Sequence, residues 1–175
     1  MTKPESKTVL VVEDEPDVLM FIEAALEDAG FVVQTATNGH DAYKRVREKA
    51  PDFITLDLVM PKQSGALFYL KLRKNAQWKD IPVMVLSAHA HDELGEEDFK
   101  RLMKGKEAPR PQYFMEKPVN PTLLAALVCQ ALGVEGGPEV GEEAAEERGH
   151  VVRRLQNADL ETLKRIKAVL NGEEQ

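Results

Sequence analysis

Five short apolar runs, each rich in β-formers and each followed by residues at helical spacing, constrain this chain more than any other feature. The runs are 8–13, 31–36, Phe53–Asp57, 81–87 and Tyr113–Glu116. Residues 16–29 place Val18, Ile22, Ala25, Leu26 and Ala29 at helical intervals, with Pro16 suited to the first turn and Gly30 to the stop. Asn38-Gly39 is a turn signal, and a helix over about 40–49 would put Ala42, Val46 and Ala50 on one side. A third helix runs through Leu67, Leu70 and Leu72 to about Lys74, and a polar one spans part of 92–104. Asn120 is placed to cap a last helix, with Pro121 first and Leu123, Leu124, Leu127, Val128 and Leu132 on its apolar side. The run 81–87 is nearly all apolar, as in a strand covered on both faces. Five successive βα units imply a doubly wound α/β domain, its parallel sheet joined by right-handed crossovers.

In an open α/β sheet, chemistry gathers outside the carboxyl ends of the strands. Those ends carry Glu13-Asp14, Asp57, Ser87 and Lys117. Three carboxylates, a hydroxyl and an ammonium should therefore meet in one pocket. Carboxylates so close repel and cannot stay ionised and dry without a cation. Oxygen-only ligands favour a hard ion such as Mg²⁺. The pocket reads as a metal-assisted phosphoryl-acceptor site. Singly, each residue has a structural explanation: Asp57 or Ser87 as a cap, Lys117 as a surface charge, Phe114 as core, Glu13-Asp14-Glu15 as helix-dipole decoration. The joint occurrence is what carries the reading.

Glu13-Asp14 after strand one, Asp57 followed by Met60-Pro61 and Gly65, Ser87-Ala88 after strand four and Lys117-Pro118 after strand five together resemble the receiver domain of two-component response regulators. The resemblance covers roughly residues 8–132. It implies a flavodoxin-like sheet of strand order 2-1-3-4-5. It implies Asp57 as phospho-acceptor, with Asp14 a direct Mg²⁺ ligand and Glu13 acting directly or through water. The Val59 backbone carbonyl would complete the protein's share of the coordination. Lys117 would pair with a phosphoryl oxygen, and Ser87 would donate a hydrogen bond to another. Phe114 resembles the aromatic switch residue behind that hydroxyl, and the Lys117-Pro118 bond would be cis. His89 lies near the pocket by resemblance, and with Val59 it would influence how fast water reaches the acyl phosphate. His89 and His91 without further partners are otherwise exposed loop residues. The chain departs from the family at Gln63-Ser64 and in the long interval from Ser87 to Lys117.

The implied function is Mg-dependent acceptance of a phosphoryl group from a histidine kinase or phosphotransfer protein, with a conformational signal to a protein partner. No enzymatic activity beyond self-phosphorylation and autodephosphorylation is expected. The rivals are a DNA-binding regulator using the tail and an aspartyl-phosphate phosphatase of the haloacid dehalogenase type. The latter needs an acid–base Asp two residues past the nucleophile, where this chain has Val59. A net charge of −7 argues against a broad nucleic-acid surface. No run approaches the ~20 apolar residues of a membrane span, the N-terminus shows no secretory signal, and the single Cys129 suits a reducing cytoplasm.

Composition shifts after Leu132. The expected organisation is a receiver over 1–133, an acidic Gly-rich linker over 134–149 and a helical tail over 150–175. Residues 134–147 hold six glutamates and no base, whereas 148–170 hold six Lys or Arg against Asp159 and Glu161. Val151, Leu155, Leu163, Ile166 and Leu170 form an apolar stripe that must pack on something, and Asn157 and Asp159 could cap a second segment. The tail is too short for a DNA-binding effector of normal size. Its own domain and another chain are both open as partners; the expectation is association with a second copy or a target protein, through the tail and the face around 92–133.

Overall fold

The computed structural model describes residues 3–87, 108–135 and 137–138. The polar helix expected within 92–104, His89, His91 and the tail at 150–175 lie outside the described residues. The elements follow in strict alternation: β1 (Thr8–Val12), α1 (Pro16–Asp28), β2 (Val32–Ala36), α2 (Gly39–Glu48), β3 (Phe53–Asp57), α3 (Ser64–Lys74), β4 (Val83–Ser87), β5 (Tyr113–Glu116) and α4 (Pro121–Leu132). All strand pairs are parallel, in the order β2-β1-β3-β4-β5. This is the doubly wound, flavodoxin-like arrangement expected from the sequence.

Side chains alternate across the sheet, which explains the unbroken apolar runs. Leu10, Val12, Ile54, Leu56 and Val85 pack with α2 and α3. Val9, Val11, Phe53, Met84 and Leu86 pack on the other face with α1 and α4. β1 and β3 are buried throughout, whereas edge strand β2 leaves Val32 exposed.

Helix ends follow side-chain chemistry. Gly30 closes α1 with φ +91, a left-handed conformation open to glycine. Asn120 caps α4 by accepting from Leu123 N at 3.1 Å. The Asn38-Gly39 turn signal is corrected by the structure: Asn38 is the cap of α2, its Oδ1 accepting from Asp41 N at 2.9 Å, and Gly39 is already helical. Extended Lys49 ends that helix early, so Ala50 leaves the Ala42–Val46 stripe and is exposed.

Two anchors hold the far end of the sheet, where the strands begin. Arg73, buried on α3, donates to Lys79 O at 2.7 Å, Ile81 O at 2.8 Å and Gln112 Oε1 at 3.1 Å, and lies over the Tyr69 ring. Gln112 Oε1 also accepts from Val83 N, and Tyr69 donates to Pro109 O. Asp52 accepts from Thr8 N at 2.8 Å and Lys7 Nζ at 2.9 Å. Trp78, just before β4, meets Tyr43 edge-on with ring centroids 5.5 Å apart.

Past α4 the chain reverses. Gly133 has φ +61, Val134 N donates to Cys129 O, and the Val134 side chain joins the core. A Cβ on Gly137 would stand 3.1 Å from Cys129 Cβ and 4.0 Å from Ala126 Cα, so the chain at Val134 and again at Gly137 lies back against α4. Seven consecutive residues of that uncharged helix, Leu123 to Cys129, are buried. Burial pushes the Cys129 thiol pKa up, consistent with an inert core cysteine.

Candidate functional site

Parallel topology delivers the carboxyl ends of β1, β3, β4 and β5 to one edge of the domain. Glu13 and Asp14 directly follow β1, Asp57 ends β3, and Lys117 directly follows β5. One carboxylate oxygen from each of Glu13, Asp14 and Asp57 lies within 4.8 Å of the others. Glu13 and Asp57 are buried, and Asp14 is half-buried at the rim.

Lys117 joins the cluster. Its Nζ donates to Asp57 Oδ2 at 2.9 Å and lies 2.8 Å from Glu13 Oε2. The second contact is an ion pair to a carboxylate oxygen that is wholly buried. Glu15 Oε1 is 3.8 Å from the same ammonium. The other Asp57 oxygen, Oδ1, accepts from Val59 N at 2.8 Å. Asp57 is thus aimed by a backbone amide on one side and a cation on the other.

Burial raises the Glu13 pKa and the Asp57 charge adds to the rise, against the lowering effect of Lys117. For Lys117 burial works downward, but its contacts with Glu13 and Asp57 outweigh it and the pKa is raised. The ammonium therefore stays charged at neutral pH. Among the described residues, this ammonium meets the cluster of Glu13, Asp14 and Asp57, with Glu15 at its edge.

Two close approaches fix the loop after Asp57. A Cβ on Gly65 would sit 2.2 Å from the Asp57 carbonyl oxygen, and one on Gly39 would sit 1.9 Å from the Ser64 carbonyl oxygen. Both positions require glycine. Lys62 between them is left-handed at φ 59.

Sequence reasoning brought Glu13, Asp14, Asp57 and Lys117 together, and the structure unites them. Ser87 ends β4, its backbone paired in register with Glu116. Phe114 is half-buried against the sheet face that carries Leu10 and Ile54. The Lys117-Pro118 bond is cis. Missed from sequence were the Val59 amide on Asp57, a backbone contact that no side-chain pattern announces, and the reach of Glu15 to Lys117, for which the acidic run 13–15 was the signal.

Residues 9–128 match the model of the response regulator receiver domain. The chain belongs to the response regulator receiver family. Protein Rrf1 of Nitratidesulfovibrio vulgaris is 30% identical over 133 residues, spanning 75% of this chain and 88% of Rrf1. Transcriptional regulatory protein PrrA of Mycobacterium tuberculosis is 38% identical over 125 residues, covering 71% of this chain and 48% of PrrA. Among solved structures, chemotaxis response regulator CheY4 of Vibrio cholerae superposes with a TM-score of 0.61 at 26% identity, over 72% of this chain and 98% of CheY4. This receiver thus spans most of Rrf1 but about half the length of PrrA.

Proposed function

We propose that this receiver accepts a phosphoryl group on Asp57 from a histidine kinase or a phosphotransfer protein. The observation that carries the reading is the buried Asp57 carboxylate held between the Val59 amide and the Lys117 ammonium, beside Glu13 and Asp14. A carboxylate oxygen of Asp57 attacks phosphorus, the bond from phosphorus to the donor nitrogen breaks, and an acyl phosphate remains on Asp57. Hydrolysis returns the carboxylate and inorganic phosphate. Lys117 neutralises phosphoryl charge as it builds. Ser87, at the end of β4, would donate to a phosphoryl oxygen, and Phe114 on the adjacent strand would follow it as the switch residue.

The donor set fits Mg²⁺: it is all oxygen, and its three carboxylates are more negative than one ammonium can neutralise. Asp14, Glu13, Asp57 and the Val59 carbonyl would hold the ion. When bound, it would screen the phosphoryl oxygens from the carboxylates. Val59, which is 64% exposed, and His89 would set water's access to the acyl phosphate. The protein acts in the cytoplasm, and output passes to a protein partner through the face around residues 92–133. No helix among the described residues is long and apolar enough to cross a membrane.

The test is incubation with a small phosphodonor and Mg²⁺. One added phosphoryl group is expected by mass spectrometry, and none in Asp57→Ala. Asp14→Ala should bind Mg²⁺ at least about tenfold more weakly, which is ~1.4 kcal/mol. A phosphoryl group mapped to His89, His91 or any residue other than Asp57 would overturn the assignment.

A further inference from the structure

The outer face of α1 carries exposed apolar side chains. Met20 is 65% exposed and Phe21 48% exposed, and exposed Ala24 lies one turn on. Met20 and Phe21 stand side by side, so with Ala24 they form one contiguous apolar stripe on the helix face. Asp17 flanks this stripe at one end, and Glu27 and Asp28 flank it at the other, all exposed. The thirteen residues of α1 contain no base. A matching surface should be apolar along its middle and basic beside it.

One segment of this chain has that chemistry. Residues 150–170 carry the Val151, Leu155, Leu163, Ile166 and Leu170 stripe, with Arg153, Arg154, Lys164, Arg165 and Lys167 beside it. The course of the described chain favours an internal contact. Helices of a parallel α/β domain run opposite to the strands, so the start of α4 is at the Asp57 end. Val134 in the core and Gly137 against Cys129 and Ala126 set the chain heading towards that end. α1 begins there too, directly after Glu15, and packs on the same sheet face as α4. Packed helices lie about 8–10 Å apart. The eleven residues 139–149 can span up to roughly 35 Å, several times that distance.

We propose that residues 150–170 dock on the α1 face formed by Met20, Phe21 and Ala24 of the same chain. The contact buries the two apolar stripes against each other and sets the basic tail beside the acids of α1.

Limited trypsin digestion of the full chain tests this, because the tail bases are themselves cleavage sites. In the parent protein at low salt, cleavage at Arg153, Arg154 and Lys164 should be slow. Phe21→Glu, on the receiver side, and Ile166→Asp, on the tail side, should each speed it at least about tenfold, as should added salt. Ile166→Asp cannot unfold the receiver, so it guards against misreading a damaged α1. Light scattering should give the mass of one chain throughout. Equal cleavage rates in parent and variants, fast or slow, would overturn the proposal. So would slow cleavage together with the mass of two chains, which would assign the tail to a second copy.

Discussion

Lys62 adopts a left-handed backbone that L-residues with a Cβ adopt at a cost of about 1–2 kcal/mol. It stands in the turn that carries the chain from Asp57 into α3. Lys62→Gly removes that cost but adds unfolded-state entropy, so a net gain of up to about 1 kcal/mol is expected in urea denaturation. Lys62→Pro, whose ring fixes φ near −65°, should destabilise instead. At Lys117 the expected split is functional. The ammonium contributes charge to the phosphorylated state but no metal ligand, so Lys117→Ala should still bind Mg²⁺ while losing phosphoryl transfer. Metal titration and phosphodonor incubation of the same sample separate the two. Loss of both would mean that Lys117 mainly holds Glu13 and Asp57 together.

Between elements, Arg73 is the most consequential single side chain outside the site. It ties the last turn of α3 to the entries of β4 and β5 through three hydrogen bonds. Arg73→Met fills similar volume but leaves the Lys79 and Ile81 carbonyls without this donor, an expected loss of about 2–4 kcal/mol. Urea unfolding with an unchanged m-value would show it; a loss below about 1 kcal/mol would mean that water replaces the guanidinium. None of this was legible in the sequence, because Arg73 reads as one more base at a helix end. The strands were legible, since continuous apolar runs buried on both faces leave little choice between Val9 and Leu86, while their order came from the resemblance to the receiver family. The site was legible for the same reason, because topology alone gathers Glu13, Asp57 and Lys117 at one edge. Boundaries were less so: the end of α2 at Glu48 depends on the extended backbone of Lys49, which composition does not encode. The packing of Val134 and Gly137 back against Cys129 was also invisible, since Gly-rich acidic sequence reads as linker.

For the molecule as a whole, stability should fall in acid through Asp52. Burial acts to raise its pKa, but the Thr8 amide and the Lys7 ammonium outweigh it, so the folded value is lowered. A carboxylate depressed by folding contributes stability above its unfolded value, about 3.9, and loses it as pH falls through the lower folded value. Asp52→Asn keeps an acceptor for Thr8 N but removes the charge. Its melting temperature should lie below that of the parent at pH 7, and the gap should close below about pH 4. A gap that persists undiminished at pH 2.5 would assign the effect to packing and not to charge. The charge here fastens the starts of β1 and β3, so the transition should remain a single cooperative one.

Trp78 is the sole tryptophan of the chain, and its edge-on contact with Tyr43 decides what light can report about this receiver. It lies before β4, at the end of the sheet opposite Asp57, separated from the site by the length of a five-residue strand, about 16 Å. Its emission should therefore stay constant as Mg²⁺ is added and change sharply when the domain unfolds. Intrinsic fluorescence would make a clean denaturation signal and a blind one for metal, and an optical assay of the pocket would need a chromophore introduced at its rim.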